Sequence, residues 1–267
     1  MKNTLFTYLL LSCTLFIGCK PEPKADNATL PGINQPEEIE PYSNIIAEAD
    51  KLKGLWLSDV FLTSVQKQKS IYKSQQAETT IFGFTIKSDS TSANKLLFNG
   101  FSDYEGGYDG IVAYHPEKKQ FVHLSTGEEY EVLKQSFGLS IIENNKLQLE
   151  YENQKKENYR RISDIDAELR HILFEGTYTD TQSGNKVVFS KNGRVEGIED
   201  KGFYVPLYTF DAGYEFDTVF LSLNEKLDNF DRYHFKIDGN TISLYSIFED
   251  ESQELSIGEL MHTLVKK

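Results

Sequence analysis

The chain has 267 residues, enough for one large or two small domains, and carries 28 basic against 41 acidic residues for a net charge of −13. Such a surface repels phosphate backbones and anionic headgroups, which argues against nucleic acid and leaves a cation or a basic protein as the charged partner to expect. The two cysteines, Cys13 and Cys19, both fall near the N-terminus, so disulfides, CxxC redox chemistry, thiolate metal sites and cysteine nucleophiles are excluded from the rest of the chain.

In chain order, the first segment has a basic start at Lys2 and an apolar run from Leu5 to Ile17, followed by Gly18-Cys19. That run is too short for a ~30 Å hydrocarbon core at about 1.5 Å per residue, so it reads as the apolar part of a secretory signal. Leu15-Phe16-Ile17-Gly18-Cys19 resembles the lipobox of bacterial lipoprotein signals, with Phe16 where Leu is usual. Leu10-Leu11-Ser12-Cys13 fits the pattern more literally, but cleavage there would shorten the apolar run and strand Thr14 to Ile17 on the product. The resemblance implies lipidation of Cys19 and a membrane partner reached through the acyl anchor. Lys20 after the cysteine points, by the same resemblance, to the outer membrane.

Five of the seven prolines follow, at Pro21, Pro23, Pro31, Pro36 and Pro41, among charged residues and almost no large apolar ones. Such a stretch cannot bury enough surface to fold and should act as an extended tether of up to ~70 Å. The expected organisation is therefore a signal over 1–19, a tether over 20–42, and two domains over 43–162 and 163–267.

Each domain is expected to open with a short helix. The first runs from Ser43 to Gly54; the second starts at Ser163, places Asp166 at the capping-box position and ends at Gly176. Each leads into a glycine with an aromatic two residues on, Gly54-Leu55-Trp56 and Gly176-Thr177-Tyr178. Two further stretches recur in order: Tyr108-Asp109-Gly110-Ile111 with Phe216-Asp217-Thr218-Val219, and Asn145 to Leu149 with Asn240 to Leu244. Hairpins are expected over Val187 to Glu196 and Tyr233 to Ile242, where Asn-Gly and Asp-Gly mark the turns. Strands are expected over Thr79 to Lys87, Lys95 to Phe101, Ile111 to His115, Gln120 to Leu124, Leu139 to Glu143 and Lys146 to Tyr151. The expected fold class is mostly β: two small antiparallel meander β-barrels, each preceded by a short α-helix.

A short helix, Gly-x-Trp on the first strand and a meander of roughly a hundred residues resembles the lipocalin or calycin plan, and especially the lipocalin-like domains of bacterial lipoproteins. The resemblance implies that Trp56 packs at the closed end of the barrel under Arg160 or Arg161, with Tyr178 in the corresponding place of the second copy and no comparable late arginine there. It also implies a cavity that receives an apolar or amphiphilic ligand.

Residues suited to catalysis form no recognisable constellation. His115, His123, His171, His234 and His262 are scattered, and HExxH, GxSxG, Walker and GxGxxG patterns are missing from the sequence, so no catalytic residue, metal or cofactor is assigned. Asp103-Tyr104-Glu105-Gly106-Gly107-Tyr108-Asp109-Gly110 could offer oxygen ligands to Ca²⁺, but it lacks EF-hand spacing and reads equally as a glycine-rich hairpin loop. Its aromatics, with Phe101 and Tyr114, are rim or core. The leading expectation is a non-enzymatic, lipid-anchored envelope protein that binds a small apolar ligand in a barrel. The alternatives are an acidic interaction module that docks a basic protein, as an inhibitor or assembly factor, and a hydrolase working through a carboxylate pair. Labelling with a radioactive lipid precursor tests the anchor: Cys19→Ala should abolish incorporation and Cys13→Ala should leave it intact.

Overall fold

A computed structural model describes residues 42–267 except 78, 91, 93, 102–106, 125–132, 209–213, 227 and 250–253. The signal, residues 20–41 of the expected tether, Cys13, Cys19 and residues 103–106 of the acidic turn lie outside the described residues, and Tyr42, expected in the tether, begins the first helix. The first half opens with α1 (Tyr42–Leu52) and continues through β1 (Gly54–Ser58), β2 (Gly83–Ser88), β3 (Lys95–Phe101), β4 (Gly107–His115), β5 (Gln120–His123), β6 (Phe137–Glu143), β7 (Lys146–Tyr151) and β8 (Lys156–Ile162). Each strand pairs antiparallel with the next, and β8 returns to β1 to close a barrel. Period-two alternation drives the closure: along β3, Leu96 and Phe98 are buried while Lys95 and Leu97 face out.

β3 and β7 occupy the residues expected of them, whereas the strand expected from Thr79 begins only at Gly83. Side chains of β8 hold the approach instead of a ladder. The Thr80 N–H donates to Glu157 Oε1 at 2.7 Å, and the Tyr159 hydroxyl donates to the Ile81 carbonyl at 2.8 Å.

Two helices that the sequence reading did not anticipate follow β1: α2 (Asp59–Gln68) and α3 (Ile71–Ser74). The Ser58 hydroxyl caps α2, accepting from the Phe61 N–H, and Ser70 caps α3, accepting from the Lys73 N–H. Lys69 ends α2 in the left-handed conformation, with φ of 53°, a position usually given to glycine. Phe61, Leu62 and Val65 form the buried stripe of α2.

The second half has α4 (Ile165–Leu173), β9 (Gly176–Asp180), β10 (Lys186–Phe189), β11 (Val195–Glu196), β12 (Phe203–Pro206), β13 (Thr218–Ser222), β14 (Phe230–Asp238), β15 (Thr241–Glu249) and β16 (Leu255–Lys266). The cap of α4 is Asp164, whose carboxylate accepts from the Ala167 N–H at 2.6 Å, so Ser163 is not the capping residue. Asp166 does not reach back as in a capping box; it points to Arg170, 3.6 Å away. The meander order of the first half recurs, β16 pairing back with β9, and a single bridge from Arg194 to Phe203 joins β11 to β12, so this barrel is nearly closed. Both halves therefore match the lipocalin-like plan. Asn145 to Leu149 and Asn240 to Leu244 do enter equivalent strands, β7 and β15. Tyr108 to Ile111 enters a fourth strand and Phe216 to Val219 a fifth, so that expected correspondence is off by one strand.

The interiors are organised differently from two independent barrels. One buried cluster fills the first barrel and includes Ala49 and Leu52 of α1. The other joins the second barrel to Leu57, Phe61, Leu62, Val65, Ile71 and Phe82 of the first half. The α2–α3 pair thus acts as an apolar wedge between the barrels, which belong to one compact unit. Phe61 is 1% exposed, with its ring 4.5 Å from that of Phe82. Phe61→Ala should cost about 3–5 kcal/mol in urea unfolding, with Trp56 fluorescence and far-UV circular dichroism shifting together; an unmoved Trp56 transition would show that the wedge does not couple the barrels.

Candidate functional site

The closed end of the first barrel is built on Trp56. Gly54 has φ of +137°, which glycine adopts readily, and turns the chain out of α1 so that the indole points inward. The indole N–H donates to the Leu52 carbonyl at 2.8 Å, and the Arg161 guanidinium lies 4.5 Å from the ring centroid while donating to the Lys51 carbonyl. Of the two expected partners of Trp56, Arg161 is the one in place; Arg160 instead binds Asp59 through Nε and Nη2, at 3.1 and 2.5 Å.

The second barrel repeats this closure with different residues. Gly176 has φ of +155°, the Tyr178 hydroxyl donates to the Phe174 carbonyl at 2.7 Å, and Lys266 lies 5.9 Å over the Tyr178 ring. Lys266 also donates to the Glu175 carbonyl at 3.2 Å. The late cation that the sequence seemed to lack is therefore a lysine on the final strand, a substitution that a search for arginine misses. All four residues are structural.

Above these ends the interiors are occupied by rings. In the first barrel Phe84 contacts Phe98 and Tyr159 at 4.6 and 4.7 Å, and Phe137 contacts Phe98 and Tyr151, both at 5.6 Å. In the second, Phe174 reaches Phe189, Tyr204 and Phe235 at 5.0 to 5.6 Å. A two-barrel architecture is compatible with a ligand-binding module, but these side chains take up the space in which an apolar ligand was expected.

A buried carboxylate completes the first interior. Glu157, 7% exposed, accepts from the Tyr151 and Tyr159 hydroxyls at 3.0 and 2.8 Å and pairs with Lys155 at 2.8 Å. Burial pushes its pKa up, but Lys155 and the donors Thr80 and Tyr159 outweigh that and hold it below the usual carboxylate value. Tyr151 and Tyr159 are raised by burial and then by the neighbouring charged or ionisable groups, so these hydroxyls stay protonated donors.

Outside the barrels, a cleft of about 320 Å³ lies between α2–α3 and the β13–β14 side of the second barrel. Asp217, just before β13, is 8% exposed and accepts from the Ser70 hydroxyl at 2.5 Å and the Ile71 and Tyr72 N–H groups at 2.7 and 2.9 Å. Its own carbonyl meets His234 Nδ1 at 2.8 Å. Tyr72 and Phe216 supply apolar walls, and Lys69, Lys73 and Lys236 share the polar lining with Glu215 and Asp217. The sequence reading named Asp217 only as a repeat landmark, because its partners lie about 146 residues away.

The remaining histidines are dispersed over both barrels. The ring nitrogens of His123 face the Ile111 and Leu133 carbonyls, His171 meets Glu175, His262 meets Asp180, and His115 accepts from the Lys118 N–H on a turn. Among the described residues no group of three or more His, Cys, Asp or Glu is placed to hold a metal ion. Of the acidic turn, Tyr108 is buried over Gly100 and Asp109 accepts from Asn99 at 2.6 Å across β3–β4. Comparison with protein-family models, curated proteins and solved structures gives no match.

Asp217 supplies a pH test. Burial raises its pKa despite three hydrogen bonds that favour the carboxylate. A raised folded pKa means its contribution is fully present below the ordinary value of 3.8 and is lost as pH climbs through the raised one. Asp217→Asn should flatten that decline in the urea midpoint, whereas Asp217→Ala, which leaves the Ile71 and Tyr72 N–H groups without their acceptor, should lower stability at every pH by about 1–3 kcal/mol.

Proposed function

We propose that this protein is a non-enzymatic binding module of the bacterial envelope, lipidated at Cys19, sorted by Lys20 to the outer membrane, and engaging a basic protein partner through the outside of its barrels. The observation that carries this reading is the filling of both interiors by aromatic side chains, which moves recognition to the surface. The surface of a chain with net charge −13 favours a cationic partner. Acylation at Cys19 would contribute about 0.8 kcal/mol per buried CH₂, enough with several chains to hold the protein at a membrane while the tether leaves the barrels accessible. A role as an inhibitor or assembly factor suits a tethered pair of barrels with an acidic surface.

The inter-barrel cleft favours a second reading. Aromatic walls with lysines and carboxylates around about 320 Å³ suit a small amphiphile, which keeps the apolar-ligand expectation but places it between the barrels. Native mass spectrometry of the full chain, extracted in mild detergent, separates the two. A bound protein that dissociates steeply as salt rises from about 0.05 to 0.5 M supports the docking reading. A salt-insensitive association, or a retained small amphiphile alone, overturns it.

A further inference from the structure

In the cleft between α2–α3 and the second barrel, the polar groups removed from solvent are largely committed to partners. The Asp217 carboxylate accepts from the Ser70 hydroxyl and from the Ile71 and Tyr72 N–H groups. The Ser70 oxygen also accepts from the Lys73 N–H, and the half-buried Lys69 ammonium is turned to the Ile172 carbonyl. Glu215, Lys73 and Lys236 are exposed, so the solvent side of the cleft carries both signs of charge.

His234 differs from these groups. A carbonyl oxygen can only accept, so the 2.8 Å contact between His234 Nδ1 and the Asp217 carbonyl places a proton on Nδ1. The neutral ring then presents Nε2 as a bare acceptor, and among the described residues that atom meets no donor. Its orientation is fixed by the bond to Asp217 and by two neighbouring rings, Phe216 edge-on at 5.4 Å and Tyr245 at 5.8 Å.

About 320 Å³ of space lined by this half-buried histidine and by Tyr72 and Phe216 defines a ligand by what it must supply: a donor for Nε2 and an apolar body for the rings. A carboxylate would set its lone pairs against Nε2 and lie near Glu215 and Asp217, and an ammonium would meet Lys69, Lys73 and Lys236. An uncharged head group avoids both penalties. We infer that the cleft binds an uncharged amphiphile through a hydroxyl or N–H head group that donates to His234 Nε2, with its apolar body against Tyr72 and Phe216. This rests on the cleft reading given above and names the chemistry of the molecule that site takes.

The test uses the full chain in mild detergent at about pH 8, where imidazole is ordinarily neutral, and three probes of one shape: para-cresol, which donates; its methyl ether, which only accepts; and para-toluate, an anion. Affinities are referred to free probe, so partition into detergent does not enter. Para-cresol should move the nuclear magnetic resonances of Tyr72, Phe216 and His234 and bind about three- to tenfold more tightly than its ether. The Nε2 nitrogen resonance should shift with para-cresol alone. His234→Asn keeps an amide N–H for the Asp217 carbonyl but has no acceptor at the Nε2 position, and should bring the two affinities to within about twofold. If that variant melts at a lower temperature, the Nε2 resonance of the unaltered chain decides by itself. Equal affinity for para-cresol and its ether, an unmoved Nε2 resonance, or tighter binding of para-toluate overturns the assigned head group while leaving the cleft reading standing. No shift at the cleft residues with any probe counts against both.

Discussion

The Asp217 carboxylate, buried under the first turn of α3, is the contact on which the arrangement of the two barrels turns. It gathers one hydroxyl and two backbone N–H groups from a segment on the far side of the chain, and α3 is too short to stand without that cap. Lys69, immediately before, reaches the Ile172 carbonyl at 2.9 Å and fastens the other end of the wedge to α4. With both polar ties made, the apolar stripe of α2 can complete the core of the second barrel.

The two barrels show how one closure can be made from different side chains. Trp56 with Arg161 and Tyr178 with Lys266 share the positive-φ glycine before the ring, the bond from the ring to a carbonyl four residues back, and the cation from the last strand. The geometric demand is for an inward aromatic with one donor and a cation that can lie over it while capping the end of the preceding helix. Tyrosine and lysine meet that demand as tryptophan and arginine do. Further rings, Phe84, Phe98 and Tyr159 in the first barrel and Phe174, Phe189 and Tyr204 in the second, then pack against one another inside.

Much of the strand order was legible because half-buried strands alternate: Lys95 to Phe101 and Lys146 to Tyr151 could be read directly. The helices after β1 escaped notice, although Ser58 and the Phe61, Leu62, Val65 spacing carry a signal, because Lys69 rather than glycine ends α2 and β-branched residues suggest strand. Asp217 was invisible as a site because its partners are joined to it only by the tertiary fold. Along β15 and β16 two register shifts break simple alternation, so the face each residue occupies there could not be read from its spacing.

The seam of the second barrel carries a consequence for how this molecule behaves when crowded. The first barrel offers no free rim for another chain to extend. At the seam of the second, β11 is only two residues long, β12 ends at Pro206, and Val195 and Tyr204 already bond across to Gly202 and Gly193 at 3.0 and 2.8 Å. A proline and a truncated rung leave little template for runaway stacking between copies of the chain, even at high local density.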